Sequence, residues 1–471
     1  MHKYLLISLL LCAVIAAAQT PPRSPAVRPF VTVDAPVVAL THVTVIDGTG
    51  APAKEDQTVI ISGGKIQQIG DAAAVAPPAG ATVLDKSGYS VIPGLVGMHD
   101  HMFYPEGGIQ VYVDLVRGAP PLYLAGGVTT LRTTGTIEGY TDLELKRAID
   151  TGKIVGPKMH VTAPYLEGEG SFTLQMHQLT SADDARRLVQ YWAAEGADDF
   201  KAYTDITRAE LAAAIEEAHK RGLKVTGHLC SIGFREAAAL GIDDLEHGLM
   251  VDTEFVANKQ PDVCPSSRES RQALLGLDVQ GPEVQQTIRE LVARKVAVTS
   301  TLPVFEISVP GRPPFRQAVL DAMSEGSRTT YLTTHARIST MKDSSMTALF
   351  KKEMDFERSF VKAGGLLLAG LDPTGYGGVV PGFGDQREVE LLVEAGFTPL
   401  EAIRIATYNG ALYLGEQARI GSLTAGKQAD LVLIKGDPAK NISDIEKVET
   451  VFKDGVGYDS AKLIEAAKGK I

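Results

Sequence analysis

Residues 91–103 read VIPGLVGMHDHMF, an apolar run that ends in two histidines one residue apart, His99 and His101. Side chains of a β-strand alternate between faces, so both imidazoles leave the same face and Asp100 leaves the other. Two neutral imidazoles on one face suit a zinc-like cation. The pair alone does not specify a metal site. Other polar residues end apolar runs further along: Lys201 in DFKAY, His228 in KVTGHL, His247 in DDLEH and Asp372 in LLLAGLD. Taken singly, His228 reads as a core histidine and Asp372 as a turn former before Pro373. Taken together, they need a scaffold that brings strand ends to one place.

The text between residues 91 and 372 supplies one. Strand-like stretches at Gly127–Thr134, Lys158–Leu166, Asp199–Tyr203, Lys224–Leu229, Asp243–His247, Val296–Leu302 and Leu366–Asp372 follow the first, with helical connections between them. Ser181 with Asp184 opens one helix, and Thr207 with Glu210 forms a capping box for the next. Leu211, Ala214, Ile215 and Ala218 give that second helix an apolar stripe at helical spacing, ending towards Gly222. Eight strands in this alternation are the grammar of a (β/α)8 barrel, an α/β fold whose chemistry gathers at the C-terminal ends of the strands. The residues singled out obey that rule.

On either side of this repeat the texture changes. From Val37 to Leu84, Val, Ile and Thr runs are broken by Asp-Gly, Gly-Gly and Gly-Asp, which reads as short antiparallel strands with tight turns. Ile420–Lys435 and Val448–Gly457 have the same texture. The expected division is therefore a signal peptide (1–18), a barrel (93–415), and a small β-sandwich built from 30–92 and 416–460.

The first eighteen residues carry Lys3, an apolar run from Leu5 to Ala18, and small residues before Gln19, the pattern of a secretory signal peptide. The run is short for a membrane span, and Leu11 before Cys12 argues against lipid attachment. A secreted or periplasmic protein with no membrane association after cleavage is expected. The chain of 471 residues has a formal net charge of -11, which argues against a nucleic-acid partner. Homo-oligomerisation is left open. Cys230 and Cys264 remain after cleavage, and both a disulfide and two unpaired thiols fit their spacing.

With these motifs in hand, the chain resembles the amidohydrolase superfamily, in the branch of imidazolonepropionase-like and prolidase-like metal-dependent hydrolases. The resemblance runs along nearly the whole mature chain, through VTVIDGTG, VIPGLVGMHDH, VTTLR, GADDFKAY, VTGHL, DLEHG, AGLDP, ATYNGALYLG and GSLTAGKQADLVLIKGDP. It implies two divalent metal ions, usually zinc, with manganese and iron left open. His99, His101 and Asp372 hold one and His228 and His247 the other. Lys201, carboxylated by carbon dioxide, bridges them. It also implies hydroxide attack on a metal-polarised carbonyl, with Asp372 carrying the proton to the departing nitrogen.

The expected substrate is an amide, a dipeptide or an N-acyl amino acid. A cyclic amide, lactone or carbamate is the nearest rival, and a non-catalytic metal-containing binding protein a more distant one. Tyr203, on the same strand face as Lys201, is placed against a substrate carbonyl or carboxylate. His177, in the loop GSFTLQMHQLT, reads either as a donor to the oxyanion or as a solvent-facing loop residue. Arg132 reads as a carboxylate binder or as half of a structural ion pair. His160 reads as packed in its strand, and His42, His219 and His335 as surface or packing residues. The run GYGGVVPGFG after Asp372 suits a mobile loop. Two departures from relatives stand out: Thr133 where an aspartate often follows the strand-two arginine, and a short stretch between Lys201 and the Thr207 helix.

Overall fold

A computed structural model describes residues 23–106, 111–343 and 345–471. The expected signal peptide lies outside the described residues. Among those described, no helix is long and apolar enough to cross a membrane.

Eight parallel strands carry the site: β1 (Leu95–Asp100), β2 (Val128–Thr133), β3 (Lys158–Val161), β4 (Asp199–Ala202), β5 (Lys224–Gly227), β6 (Asp244–Glu246), β7 (Ala297–Ser300) and β8 (Leu367–Ala369). They form a three-stranded sheet, β3-β2-β1, and a five-stranded sheet, β4-β5-β6-β7-β8. Parallel bridges from Thr162 to Asp199 and from Leu166 to Ala202 link β3 to β4. At the other junction the Asp372 N–H donates to the His99 carbonyl at 3.0 Å.

Helices follow the strands in turn: α1 (Ala119–Ala125), α2 (Gly139–Asp150), α3 (Ala182–Glu195), α4 (Arg208–His219), α5 (Phe234–Leu240), α6 (Pro282–Arg294), α7 (Ser345–Lys362) and α8 (Phe383–Ala395). Parallel strands sandwiched between a packed interior and helices must be apolar on both faces, and every residue of β2 and β4 is buried.

Local signals explain the helices. Thr207 accepts from the Glu210 N–H while the Glu210 carboxylate accepts from the Thr207 N–H, so α4 begins where the capping box places it. A cap of this kind is worth about 1 kcal/mol. Leu211, Ala214, Ile215 and Ala218 are all buried. Ser181 likewise accepts from the Asp184 N–H at the start of α3.

The two chain ends meet in one nine-stranded sheet. Its hydrogen-bonded path runs through Val31–Val33, Val456–Asp459, Val448–Lys453, Leu431–Lys435, Tyr89–Pro93, Val37–Val45, Lys54–Ser62 and Lys65–Asp71, with Thr82–Asp85 beside Val37–Val45. The all-antiparallel expectation is corrected here. Val37–Val45 pairs in parallel with both Thr82–Asp85 and Tyr89–Pro93, so the sheet is mixed. Val37–Val45, Lys54–Ser62 and Lys65–Asp71 do reverse as successive antiparallel pairs, and the parallel neighbours come in only afterwards, on the other side of Val37–Val45. Val38, Leu40, Val59, Ile61, Val91, Leu431, Leu433 and Phe452 share a core of their own.

Cys230 and Cys264 form a disulfide with Cα atoms 4.9 Å apart. It ties the loop after β5 to the segment ahead of helix Ser267–Gly276. Closing a 34-residue separation removes conformational freedom from the unfolded chain.

Candidate metal centre

The six expected ligands stand at the C-terminal ends of β1, β4, β5, β6 and β8. His99 lies in the last turn of pleat in β1, with His101 just beyond its end. Lys201 lies inside β4. The remaining strands stop earlier than the sequence suggests: His228 and His247 each follow the last strand residue, and Asp372 lies three residues past β8. His247 and Asp372 adopt left-handed backbone angles, φ 71° and 52°. Such angles are uncommon outside glycine, and functional residues are where they concentrate.

Backbone hydrogen bonds fix these positions. The His228 N–H donates to the Ala202 carbonyl and the His247 N–H to the Thr299 carbonyl. Gly370 lets β8 approach β1, because a Cβ there would lie 2.3 Å from that of His99.

The imidazoles converge. Nε2 of His99, His101 and His247 lie 3.8, 3.5 and 3.9 Å from the carboxylate oxygens of Asp372. The His228 ring sits 4.3 Å from that of His247, centroid to centroid. The side chains of His99, His101, His247, Asp372 and Lys201 are buried, and His228 is half-buried. The ligand atoms of His99, His101 and Asp372 lie within 4.8 Å of one another.

The opposite ring nitrogens are already engaged. Nδ1 of His99 is 2.7 Å from Glu246 Oε2, that of His101 is 3.0 Å from the Gly135 carbonyl, and that of His247 is 2.7 Å from Thr301 Oγ1. Outer partners of this kind fix ring orientation and leave Nε2 as the free donor. Burial and the neighbouring Lys201 hold His228 down at about 3. Burial, then Lys201, likewise drives His99 well below its ordinary value. These rings are neutral at physiological pH, the form in which imidazole offers a lone pair.

Three polar atoms here are buried without a hydrogen-bond partner among the described residues: Lys201 Nζ, His247 Nε2 and Asp372 Oδ1. Orphaned atoms of this kind are costly, and their clustering fits a group that would satisfy them together. Asp100 points to the other face, as the alternation requires. There burial and the nearby Asp385 carboxyl push it well above the usual carboxylate range.

The remaining candidates separate. Tyr203 packs its ring on that of His228, 5.1 Å between centroids. His177 is not drawn into the cluster: its side chain is half-exposed and its Nε2 lies 3.3 Å from Asp184, which the α3 start also uses. Arg132 is a structural ion-pair residue. Its fully buried guanidinium donates to the Met98 carbonyl, to Asp244 and to Glu246. Thr133, in the departed position, accepts from the Thr162 N–H. His160 pairs with Glu416, His42 with Asp56 and His219 with Asp243. His335 packs between Phe315 and Tyr331. The glycine-rich run is pinned where the Gly378 N–H donates to the Tyr104 hydroxyl at 2.8 Å.

Two residues that motif reading passed over also shape the site. Glu246 orients His99 with one oxygen and receives Arg132 with the other. Its signal was a carboxylate two residues from Asp244 on one strand face. Glu353 of α7 accepts from the Met250 N–H at 2.7 Å, and its other oxygen fills the space where Gly248 lacks a Cβ. It thereby holds the turn that follows His247. Glu353→Leu is expected to weaken metal binding about tenfold, the lower end of what outer partners contribute. Glu353→Gln, whose amide oxygen can still accept, should lose much less. Metal titration of the two variants side by side checks this.

Residues 90–457 match the family model described as "Amidohydrolase family". The chain is 25% identical over 424 residues to the imidazolonepropionase of Streptomyces griseus, covering 84% of this chain and 92% of that protein. It is 23% identical over 414 residues to ochratoxinase of Aspergillus niger, covering 77% and 73%. Among solved structures, a Xaa-Pro dipeptidase with bound methionine superimposes with a TM-score of 0.67 at 19% identity, over 90% of this chain and 100% of the other.

Proposed function

The chain belongs to the amidohydrolase family, hydrolases acting on carbon–nitrogen bonds, and on that premise we propose that it is an exported, binuclear metal-dependent enzyme cleaving amide bonds of dipeptides or N-acyl amino acids. The observation that carries this reading is the convergence of three Nε2 atoms on Asp372 beside a Lys201 amine that has no hydrogen-bond partner among the described residues. Dipeptide-type substrates are supported by the dipeptidase among the structural neighbours.

The eight parallel strands, joined at both junctions, are read as one (β/α)8 barrel (93–415), with the sheet from the two chain ends as its β-sandwich companion (30–92 and 416–460). His99, His101 and Asp372 would hold one cation and His228 and His247 the other, zinc being the first candidate for an imidazole-rich set. Lys201, as its carboxylated derivative, would supply an oxygen to each. Divalent cations held there would polarise a carbonyl and make hydroxide available near neutral pH.

The chain's own groups supply the rest. Asp372, at the rim of the cluster, accepts a proton from the attacking water and returns it to the departing amine. Tyr203, packed against His228, would donate to the oxygen of the substrate carbonyl. That role is given to Tyr203 and not to His177, whose ring is paired with Asp184. Export is supported by the basic, apolar and small-residue order of residues 1–18 and by the Cys230–Cys264 disulfide, since such bonds persist in oxidising compartments.

Chelation tests the reading. Protein dialysed against a strong chelator is expected to lose hydrolysis of a dipeptide and N-acyl amino acid panel, and to regain it with two equivalents of zinc or manganese. Full hydrolysis by metal-free protein, or none by protein shown to hold metal, would overturn it.

A further inference from the structure

Aromatic rings form an arc around one side of the centre. The His101 ring stacks on Phe103 at 4.4 Å with 20° between planes, and Tyr112 meets Phe103 edge-on at 4.9 Å. From the other ligand the line runs from His228 to Tyr203 at 5.1 Å, then to Tyr165 at 4.7 Å and Phe172 at 5.9 Å. Tyr165 lies 6.4 Å from His101 and closes the arc. Met176 joins the same apolar cluster. The hydroxyls of Tyr165 and Tyr203 hydrogen-bond to none of the described residues.

The arc continues to the surface. Leu174 is 99% exposed, Val111 54% and Phe172 40%. These residues sit on two segments clamped together: the Tyr112 N–H donates to Gln175 Oε1 at 2.8 Å, and Gln175 Nε2 donates to the Tyr112 carbonyl at 2.9 Å. Apolar residues held open to water on two joined segments suit an apolar guest. The arginine of β2 is sealed beneath the cluster by its own carboxylate partners, so it offers no charge to a substrate.

We propose that this arc is the specificity pocket, and that the enzyme's substrates are amides carrying a planar aromatic group beside the scissile bond. The proposal rests on the hydrolase reading above and narrows it. Phe172, the exposed ring of the arc, offers a face on which a substrate ring stacks, with Tyr203 and the buried Tyr165 behind it. The free tyrosine hydroxyls orient polar atoms next to that ring. Phe172 and Leu174 cover its outer side.

The test uses metal-loaded protein and matched pairs, N-benzoyl against N-acetyl amino acids and Xaa-Phe against Xaa-Ala and Xaa-Arg dipeptides. The expected kcat/KM is at least about tenfold higher for the aromatic member of each pair, the size of discrimination an apolar pocket provides. Phe172→Ser, at an exposed loop position that folding tolerates, should narrow that ratio mainly through KM. Calorimetry with N-benzoylglycine and N-acetylglycine gives a second readout, in which only the benzoyl compound binds measurably and Phe172→Ser weakens it. Hydrolysis without aromatic preference, or with preference for arginine, overturns the pocket while the hydrolase reading stands. Absence of all hydrolysis removes the hydrolase reading, and equal binding of the two glycine derivatives then overturns the pocket as well.

Discussion

Asp372→Asn is expected to lower kcat by about 10²- to 10⁴-fold, the range associated with losing a positioned proton carrier, while the protein stays folded and retains metal. The substitution is nearly isosteric. It keeps one oxygen facing the Nε2 atoms of His99, His101 and His247, which now lie 3.5–3.9 Å away. It also keeps the backbone: Asp372 has φ 52°, in the left-handed region that asparagine tolerates better than most residues. Its N–H bond to the His99 carbonyl does not involve the side chain and survives. What is lost is the ability to take a proton and pass it on. Asp372→Ala would confound this by straining the turn and removing a ligand oxygen together. Metal content and kcat measured on one preparation decide the matter. Turnover near that of the native protein with metal bound would take the proton-carrying role from Asp372.

The clustered residues were legible in the sequence because each is a chemically unusual residue at the end of an apolar run. His99 and His101 share a face by the period of a strand, and Asp100 points away for the same reason. The α4 capping box was equally local, involving Thr207 and Glu210 alone. What stayed hidden depends on distant partners. Glu246 reaches His99 across 147 positions, and no spacing rule connects them. Arg132 could be read two ways until Asp244 and Glu246 were seen around it. The cysteines could be read two ways until the loop after β5 met residue 264. His177 is a loop residue, and loop side chains are fixed by neighbours that periodicity does not reveal. The parallel partners of Val37–Val45 were missed because turn residues mark where a strand ends, not the direction in which the next returns.

Lys201→Met is expected to cost more than any outer partner, at least about 10²-fold in activity, together with most of the bound metal. The argument starts from the unmodified side chain. Lys201 is fully buried, and its Nζ has no hydrogen-bond partner among the described residues. An ammonium in that position is poorly placed, because the loss of its water on burial outweighs the attraction of the nearby carboxylates. Burial, opposed by Glu246 and Asp372, brings the amine down to about 8, so an appreciable neutral fraction exists near physiological pH. A neutral amine can bond to the carbon of carbon dioxide and release one proton, which converts a group hostile to cations into an anion with two oxygens. Methionine matches the length and apolar stem of lysine, so packing in β4 should hold while that chemistry is lost. Circular dichroism and melting temperature should change little, whereas metal content and turnover should collapse. Small carboxylic acids such as acetate or propionate, able to enter the space left by the modified end, should restore part of both. Full metal content and turnover in Lys201→Met would show that the imidazoles and Asp372 hold the cations without a bridging anion.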